Sequence, residues 1–221
     1  MAITDAEARA ALNAATRAQG IGAVAATDAM PQEAARAVNA LSTLAADFPS
    51  DPAGFAAGLL LAWRMIALHG DADALRRLLP GEIDARLADL TGERVRAVEI
   101  VAMTAALALA AARGTDRAEQ DASRARAELA RIATPAISLA GSLGLDAFEW
   151  LSKLTGEAAL TLSRASATRA PLVMIETGIS LSAIRLAYDL YGDANRAGEI
   201  VARNRVSAPA FMPVEFEALS R

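Results

Sequence analysis

The chain reads as mainly α: an alanine-rich helical bundle with a small β-α-α-β module at its C-terminal end. Three observations carry that reading. Alanine is abundant in a chain that is 54% hydrophobic yet only 4% aromatic, a composition that steers the backbone towards helix and away from an extensive sheet. Apolar residues recur at helical spacing along most of the length. Only near the C-terminus does the pattern change, where two short strand-like runs flank two short helical ones. With 221 residues there is material for one large domain or two small ones, and an all-β or doubly wound parallel fold is excluded.

The elements follow in order. Thr4-Asp5-Ala6-Glu7 is a capping box that starts a first helix, expected to run to about Gln19 before a break at Gly20 and Gly22. A second amphipathic helix opens at Pro31, carries Ala34, Val38, Leu41 and Leu44 on one stripe, and stops before Pro49. Asp51-Pro52 repeats the start signal for a helix that ends at His69-Gly70 and is apolar nearly all round, which places it in the core. Asp71 caps a short helix through Leu79; Pro80-Gly81 interrupts it, and another short helix covers Glu82 to Leu90. A second central helix spans Glu93 to Arg113, with Arg94, Arg96 and Glu99 exposed at its start.

The next helix, Asp116 to Thr134, alternates charges and is expected at the edge, ended by Pro135. Pro135 to Gly144, with two glycines and two serines, reads as a hinge or connector. Leu151, Leu154, Ala158, Leu162 and Ala165, spaced three, four, four and three apart, form a packing seam expected to be used within the chain. Then Leu172 to Glu176 reads as a strand, Ser180 opens a helix bearing Leu181, Ile184, Ala187 and Tyr188, Asn195 to Asn204 forms a second helix, and Val214-Glu215-Phe216 alternates as a strand. The resulting division is 1-134 as helical bundle, 135-168 as connector and packing helix, and 169-221 as the β-α-α-β module. No internal repeat is visible.

Several function classes lack their chemistry. There is no cysteine and one histidine, so disulfides, thiolate metal sites and thiol nucleophiles are absent. His69 stands at a helix C-terminus, where an imidazole is expected to cap carbonyls, and no serine lies in a nucleophile elbow. Asp71, Asp73, Asp84, Asp89 and Glu93 lack the spacing of a calcium loop, and the glycines at 54, 58, 141, 144 and 178 form neither a phosphate loop nor a dinucleotide fingerprint. No catalytic residue, metal or cofactor is therefore expected.

A net charge of -4 and a pI near 5.2 give no general attraction to nucleic acid or anionic membranes. Arg117, Arg124 and Arg131 recur every seven residues, but interspersed carboxylates favour a solvated or protein-contacting face; Arg203 and Arg205 are a second, smaller group. The uncharged runs Ala53 to Trp63 and Ile100 to Ala112 fall short of the roughly 20 residues that span hydrocarbon and read as core helices. Asp5 and Glu7 stand where a signal peptide would be basic and apolar, so no export signal is expected.

The residues from Leu186 to Asn204 combine a Tyr191-Gly192-Asp193 turn with a helix ending in Arg203-Asn204, and Pro209-Ala210-Phe211-Met212-Pro213 follows. In this combination the C-terminal region resembles the end of the bacteriophage DNA circularisation protein N family, tail and baseplate components of Mu-like phages and prophages. The β-α-α-β order is also similar to a LysM module, a small fold used for glycan binding and, in phage tails, for protein contacts. Val214 stands where that module usually has glycine, and Gly178-Ile179-Ser180 lacks its usual aspartate. The long N-terminal region of the full-length family is expected to be missing, and functions located there do not carry over.

Read without the family, Tyr188 and Tyr191 can cover the junction of the two helices, Gly192 allows a left-handed turn, Asp193 can cap the next helix, Asn204 can hold the departing chain, and Phe211 can dock as an apolar plug. What the resemblance implies is a non-enzymatic structural protein of a phage tail or tail-like particle, joining the tail tube end to the baseplate hub. It would be assembled in the host cytoplasm and resident in the virion, as a symmetric homo-oligomer contacting other tail and baseplate proteins. Tyr188, Tyr191, Arg196, Arg203, Asn204 and Phe211 are the expected partner-binding residues, with no membrane span and no nucleic-acid partner. The alternatives are a LysM-type module that binds glycan or peptidoglycan, and a protein that binds DNA ends of the injected phage genome.

Overall fold

The computed structural model describes residues 3–28, 30–114 and 118–220. Among these the protein is mainly α-helical, with one small two-stranded sheet near the C-terminus. The chain separates into two compact units. The first comprises Met1–Thr115 with Arg124–Ser163, and the second Asp116–Ser123 with Arg164–Arg221.

The first unit is built from α1 (Asp5–Val24), α2 (Gln32–Ala46), α3 (Pro52–His69), α4 (Ala72–Ala88), α5 (Glu93–Arg113) and the larger parts of α6 (Glu119–Leu143) and α7 (Leu145–Thr168). The start signals act as the sequence indicates. The Glu7 amide donates to Thr4 Oγ1 at 3.2 Å while the Thr4 amide donates to Glu7 Oε2 at 3.0 Å, closing the capping box. At α3 the Gly54 amide donates to Asp51 Oδ1 at 2.8 Å, with Pro52 in the first turn.

Small side chains let the helices approach closely. The buried face of α1 is Ala10, Ala11, Ala14, Ala15 and Ala18, followed by Ile21 and Gly22. Large side chains then fill the centre: Phe55, Leu59, Trp63 and Ile66 of α3 and Ile100 and Met103 of α5 are all fully enclosed. Phe55 meets Phe48 edge to face, with ring centroids 5.4 Å apart.

Four expectations about helix ends are corrected. Gly20 and Gly22 do not break α1, which runs to Val24; a methyl group at Gly22 would lie 3.2 Å from Ile66 Cδ1, so this glycine serves close packing on α3. Pro80 does not divide α4, because Leu75, Leu79 and Ile83 are fully buried on one continuous face. Pro135 likewise lies inside α6, with Ile132, Ala136 and Ala140 buried on either side of it. A proline in a helix interior costs about 3 kcal/mol, which burial of large apolar side chains at about 1.5–3 kcal/mol each offsets: Leu75, Leu79 and Ile83 in α4, and Leu129 and Ile132 in α6. The hinge expected over Pro135 to Gly144 therefore reduces to Gly144 alone, at φ 138° between α6 and α7. The proposed helix start at Asp116 lies outside the described residues, as does Arg117.

Two burial expectations also change. Glu99, expected on the surface, is fully buried and receives Arg17 Nε at 2.7 Å and Arg86 Nε at 2.6 Å. Arg86 also donates to Asp89 at 2.6 Å, so the carboxylate is enclosed in a complete ionic cluster. Burial acts to lower the pKa of Arg17, but the hydrogen bond and charge of Glu99, with Glu82, hold it above its ordinary value.

The second change concerns α3, which is enclosed on one face only: Leu61 is 48% exposed and Leu60 half-buried. By length and composition alone α3 and α5 could each cross a membrane; 78% of the most apolar stretch of α5 is buried in the protein, against 33% for α3. The open side of α3 joins Ala105 and Leu109 of α5 and Trp150 and Leu154 of α7 around a groove of about 440 Å³. The α7 seam is used within the unit, where Leu151, Ala158 and Leu162 are buried. Carbonyl capping at the end of α3 comes from Arg113, which donates to Ala67 and Gly70, and from Thr27, whose hydroxyl donates to the His69 carbonyl at 2.9 Å. The His69 imidazole is not what caps it.

Candidate functional site

The second unit is a β-α-α-β module together with the first turn of α6 and the end of α7: β1 (Leu172–Glu176), α8 (Ala183–Tyr191), a 3-10 turn (Ala194–Arg196) leading into α9 (Ala197–Asn204), and β2 (Glu215–Leu219). The strands pair antiparallel with Leu172 opposite Leu219 and Glu176 opposite Glu215. Its core is small: Leu186, Ile200, Met212 and Phe216 with Ala183, Ala187 and Ala218. So small a core needs local polar fasteners. The Ser180 hydroxyl donates to the Met212 carbonyl at 2.7 Å, and the Ala183 amide to the Pro209 carbonyl at 2.8 Å. Together they lay the segment before β2 along the start of α8.

The Tyr191-Gly192-Asp193 turn works as its chemistry suggests. Gly192 takes φ 71° and closes α8 through its amide to the Tyr188 carbonyl at 2.8 Å. Asp193 then accepts from the Asn195 amide at 2.9 Å. Helix α8 begins later than expected, capped by Ser182 instead of Ser180. Its buried face is also different: Ala183, Leu186 and Ala187 face the core, whereas Ile184 and Tyr188 of the expected stripe are 64% and 61% exposed.

The six residues singled out from the sequence fall into two groups. Four are held by the module itself. The Tyr191 hydroxyl accepts from the Leu219 amide at 3.0 Å, and the Arg196 guanidinium lies 3.6 Å from the centre of the Tyr191 ring. Arg196 also pairs with Glu199 at 3.1 Å, which with Tyr191 and Asp193 holds its pKa above the ordinary value. Arg203 reaches Asp121 at 2.8 Å, and that hydrogen bond is the main reason its pKa is raised. Asn204 donates to the carbonyls of Ile200 and Glu217, each at 2.9 Å, and accepts from the Glu217 amide at 2.8 Å.

The other two point outward. Tyr188 and Phe211 are large, apolar and exposed, Phe211 by 74%. Ile179 and Ile184, both 64% exposed, extend the same character and were missed from the sequence. The available signal was the spacing of Ile184 and Tyr188, four apart on α8, together with the alanines that mark the opposite face as the packed one.

Elsewhere, of the arginines considered for nucleic acid, Arg131 is engaged by carboxylates. Arg131 donates to Asp84 and Glu128, at 2.8 and 2.9 Å, and these hydrogen bonds to Glu128 and Asp84 push its pKa up. Among the described residues no three histidine, aspartate or glutamate side chains converge in a way that could hold a metal ion. Against known proteins, no family model matches the chain and no curated protein matches it.

Proposed function

We propose that the protein is a structural, non-enzymatic component of a phage tail or tail-like particle, joining the tube end to the baseplate hub through protein–protein contacts. Symmetric copies would repeat one contact by rotation around the tube. The observation that carries this reading is the division of labour in the motif that resembles the phage family. Tyr191, Arg196, Arg203 and Asn204 brace the unit internally, which leaves Tyr188 and Phe211 as aromatic side chains in solvent. Exposed aromatic anchors on a stiff scaffold suit burial in a partner's pocket better than chemistry on a small substrate.

The test is to purify tail particles from the phage or prophage that encodes the chain, with the wild-type protein and with the Tyr188→Ala/Phe211→Ala double variant. The chain is expected in wild-type particles at the baseplate end and is expected to be lost or strongly depleted with the double variant. Particles complete without it would overturn the proposal. So would a chain absent from particles that binds chitooligosaccharide, peptidoglycan or DNA ends.

A further inference from the structure

The outer edges of the two strands are finished differently. The Ser220 amide donates to the Pro171 carbonyl and the Thr177 amide to the Val214 carbonyl, both at 2.9 Å. In an antiparallel pair, ladder bonds fall on alternate residues, so with the observed register residues 173 and 175 bond to 218 and 216. The main-chain groups of 172, 174 and 176, and of 215, 217 and 219, therefore point away from the ladder.

On β2 these outward groups are met by side chains. Asn204 acts as a substitute strand for the Glu217 amide and carbonyl, and the Tyr191 hydroxyl takes the Leu219 amide. On β1 only the first is met, by Gln120, whose Oε1 accepts from the Leu172 amide at 2.8 Å. Among the described residues nothing reaches the outward amides and carbonyls of Met174 and Glu176, and the Met174 side chain is 66% exposed. A row of open donors and acceptors is a template for another strand.

The chemistry of that strand follows from the adjoining face. Glu176 stands directly opposite Glu215, both are exposed, and neither forms an ion pair among the described residues. Like charges in directly opposed positions destabilise a sheet. A second copy of this edge would bring more of the same charge, whereas a cationic strand would relieve it.

We infer that β1 is a recognition edge that takes, as a third strand, an extended segment of another protein carrying lysine or arginine at alternate positions. Main-chain bonds to Met174 and Glu176 supply attachment, and the cations facing Glu176 and Glu215 supply selectivity. This edge and the Tyr188 and Phe211 surface consist of different residues, and the inference does not depend on the particle assignment.

The probes are short labelled peptides added to the full chain and read by fluorescence anisotropy. One alternates lysine with valine, the second alternates glutamate with valine, and the third is the lysine peptide N-methylated at alternate residues. The lysine peptide is expected to bind and the other two are not. Met174→Pro removes only an outward amide, since Met174 donates nothing to the ladder, and proline is tolerated on such an edge. It is expected to weaken binding by roughly tenfold, from the lost main-chain bond and the pairing around it. Glu176→Lys/Glu215→Lys is expected to invert the preference towards the glutamate peptide.

Circular dichroism checks that Met174→Pro folds. If it does not, the N-methylated peptide and the charge reversal carry the test. Absence of binding, equal binding of the methylated peptide, or an unaltered affinity in a folded Met174→Pro variant overturns the inference. Self-association that Met174→Pro abolishes would also overturn it, by making a second copy the occupant.

Discussion

The helical bundle and the C-terminal module solve the same problem with different materials. The bundle draws cohesion from apolar contact: alanines bring helices together and a few large side chains, Phe55, Trp63 and Met103 among them, fill what remains. Among the described residues the core cluster of the module has seven buried apolar residues, and the module relies on side chains bonded to main chain, with Asn204, Tyr191 and Ser180 fastening strands and loops to helices. Size explains the difference. A small unit buries too little apolar surface to offset chain entropy, so each correctly placed polar contact carries a larger share.

That contrast can be broken or sharpened by substitution. Phe55→Ala should have the largest effect, about 3–5 kcal/mol from lost burial and the cavity left behind, seen as a lowered midpoint in chemical denaturation. Glu99→Ala, the polar exception in the bundle, should cost a similar amount, about 3–5 kcal/mol, because Arg86 at 4% exposure would lose its buried counter-ion. A midpoint shift well below that of Phe55→Ala would mean that water reaches the cluster. Asn204→Ala should cost about 1–3 kcal/mol by stranding the Glu217 amide and carbonyl, and hydrogen exchange should rise first in β2. Gly192→Ala should cost about 1–2 kcal/mol, the penalty for a side chain in left-handed backbone, read from thermal unfolding of the module. Tyr188→Ala and Phe211→Ala should change stability by no more than about 0.5 kcal/mol while removing the proposed docking surface; a large loss of stability would return both residues to a packing role.

Much of the architecture was legible because its signals are local. The Asp51-Pro52 start, the span Glu93 to Arg113 and the strand Leu172 to Glu176 need only a cap, a period and a change of period to be recognised, and all three match the structure. The misreadings share one origin. Pro80, Pro135 and Gly22 are breakers when considered locally, but each sits between residues whose burial against other helices outweighs the local cost. Glu99 reads as a surface residue in the sequence because its two arginine partners are distant along the chain, 82 and 13 residues away. In the C-terminal segment the sequence marks the elements but not the face each side chain takes: Tyr188 and Tyr191, three positions apart, end up exposed and engaged respectively.

What the sequence determined alone was the helical class, the caps at Thr4 and Asp51 and the β-α-α-β order at the C-terminal end, since all three follow from preferences acting within a few neighbouring residues. Tertiary packing decided which prolines were tolerated, which carboxylate was buried, and which aromatic side chains faced solvent. Those outcomes depend on partners that only folding brings within reach, at energies comparable to or larger than the local preferences they override.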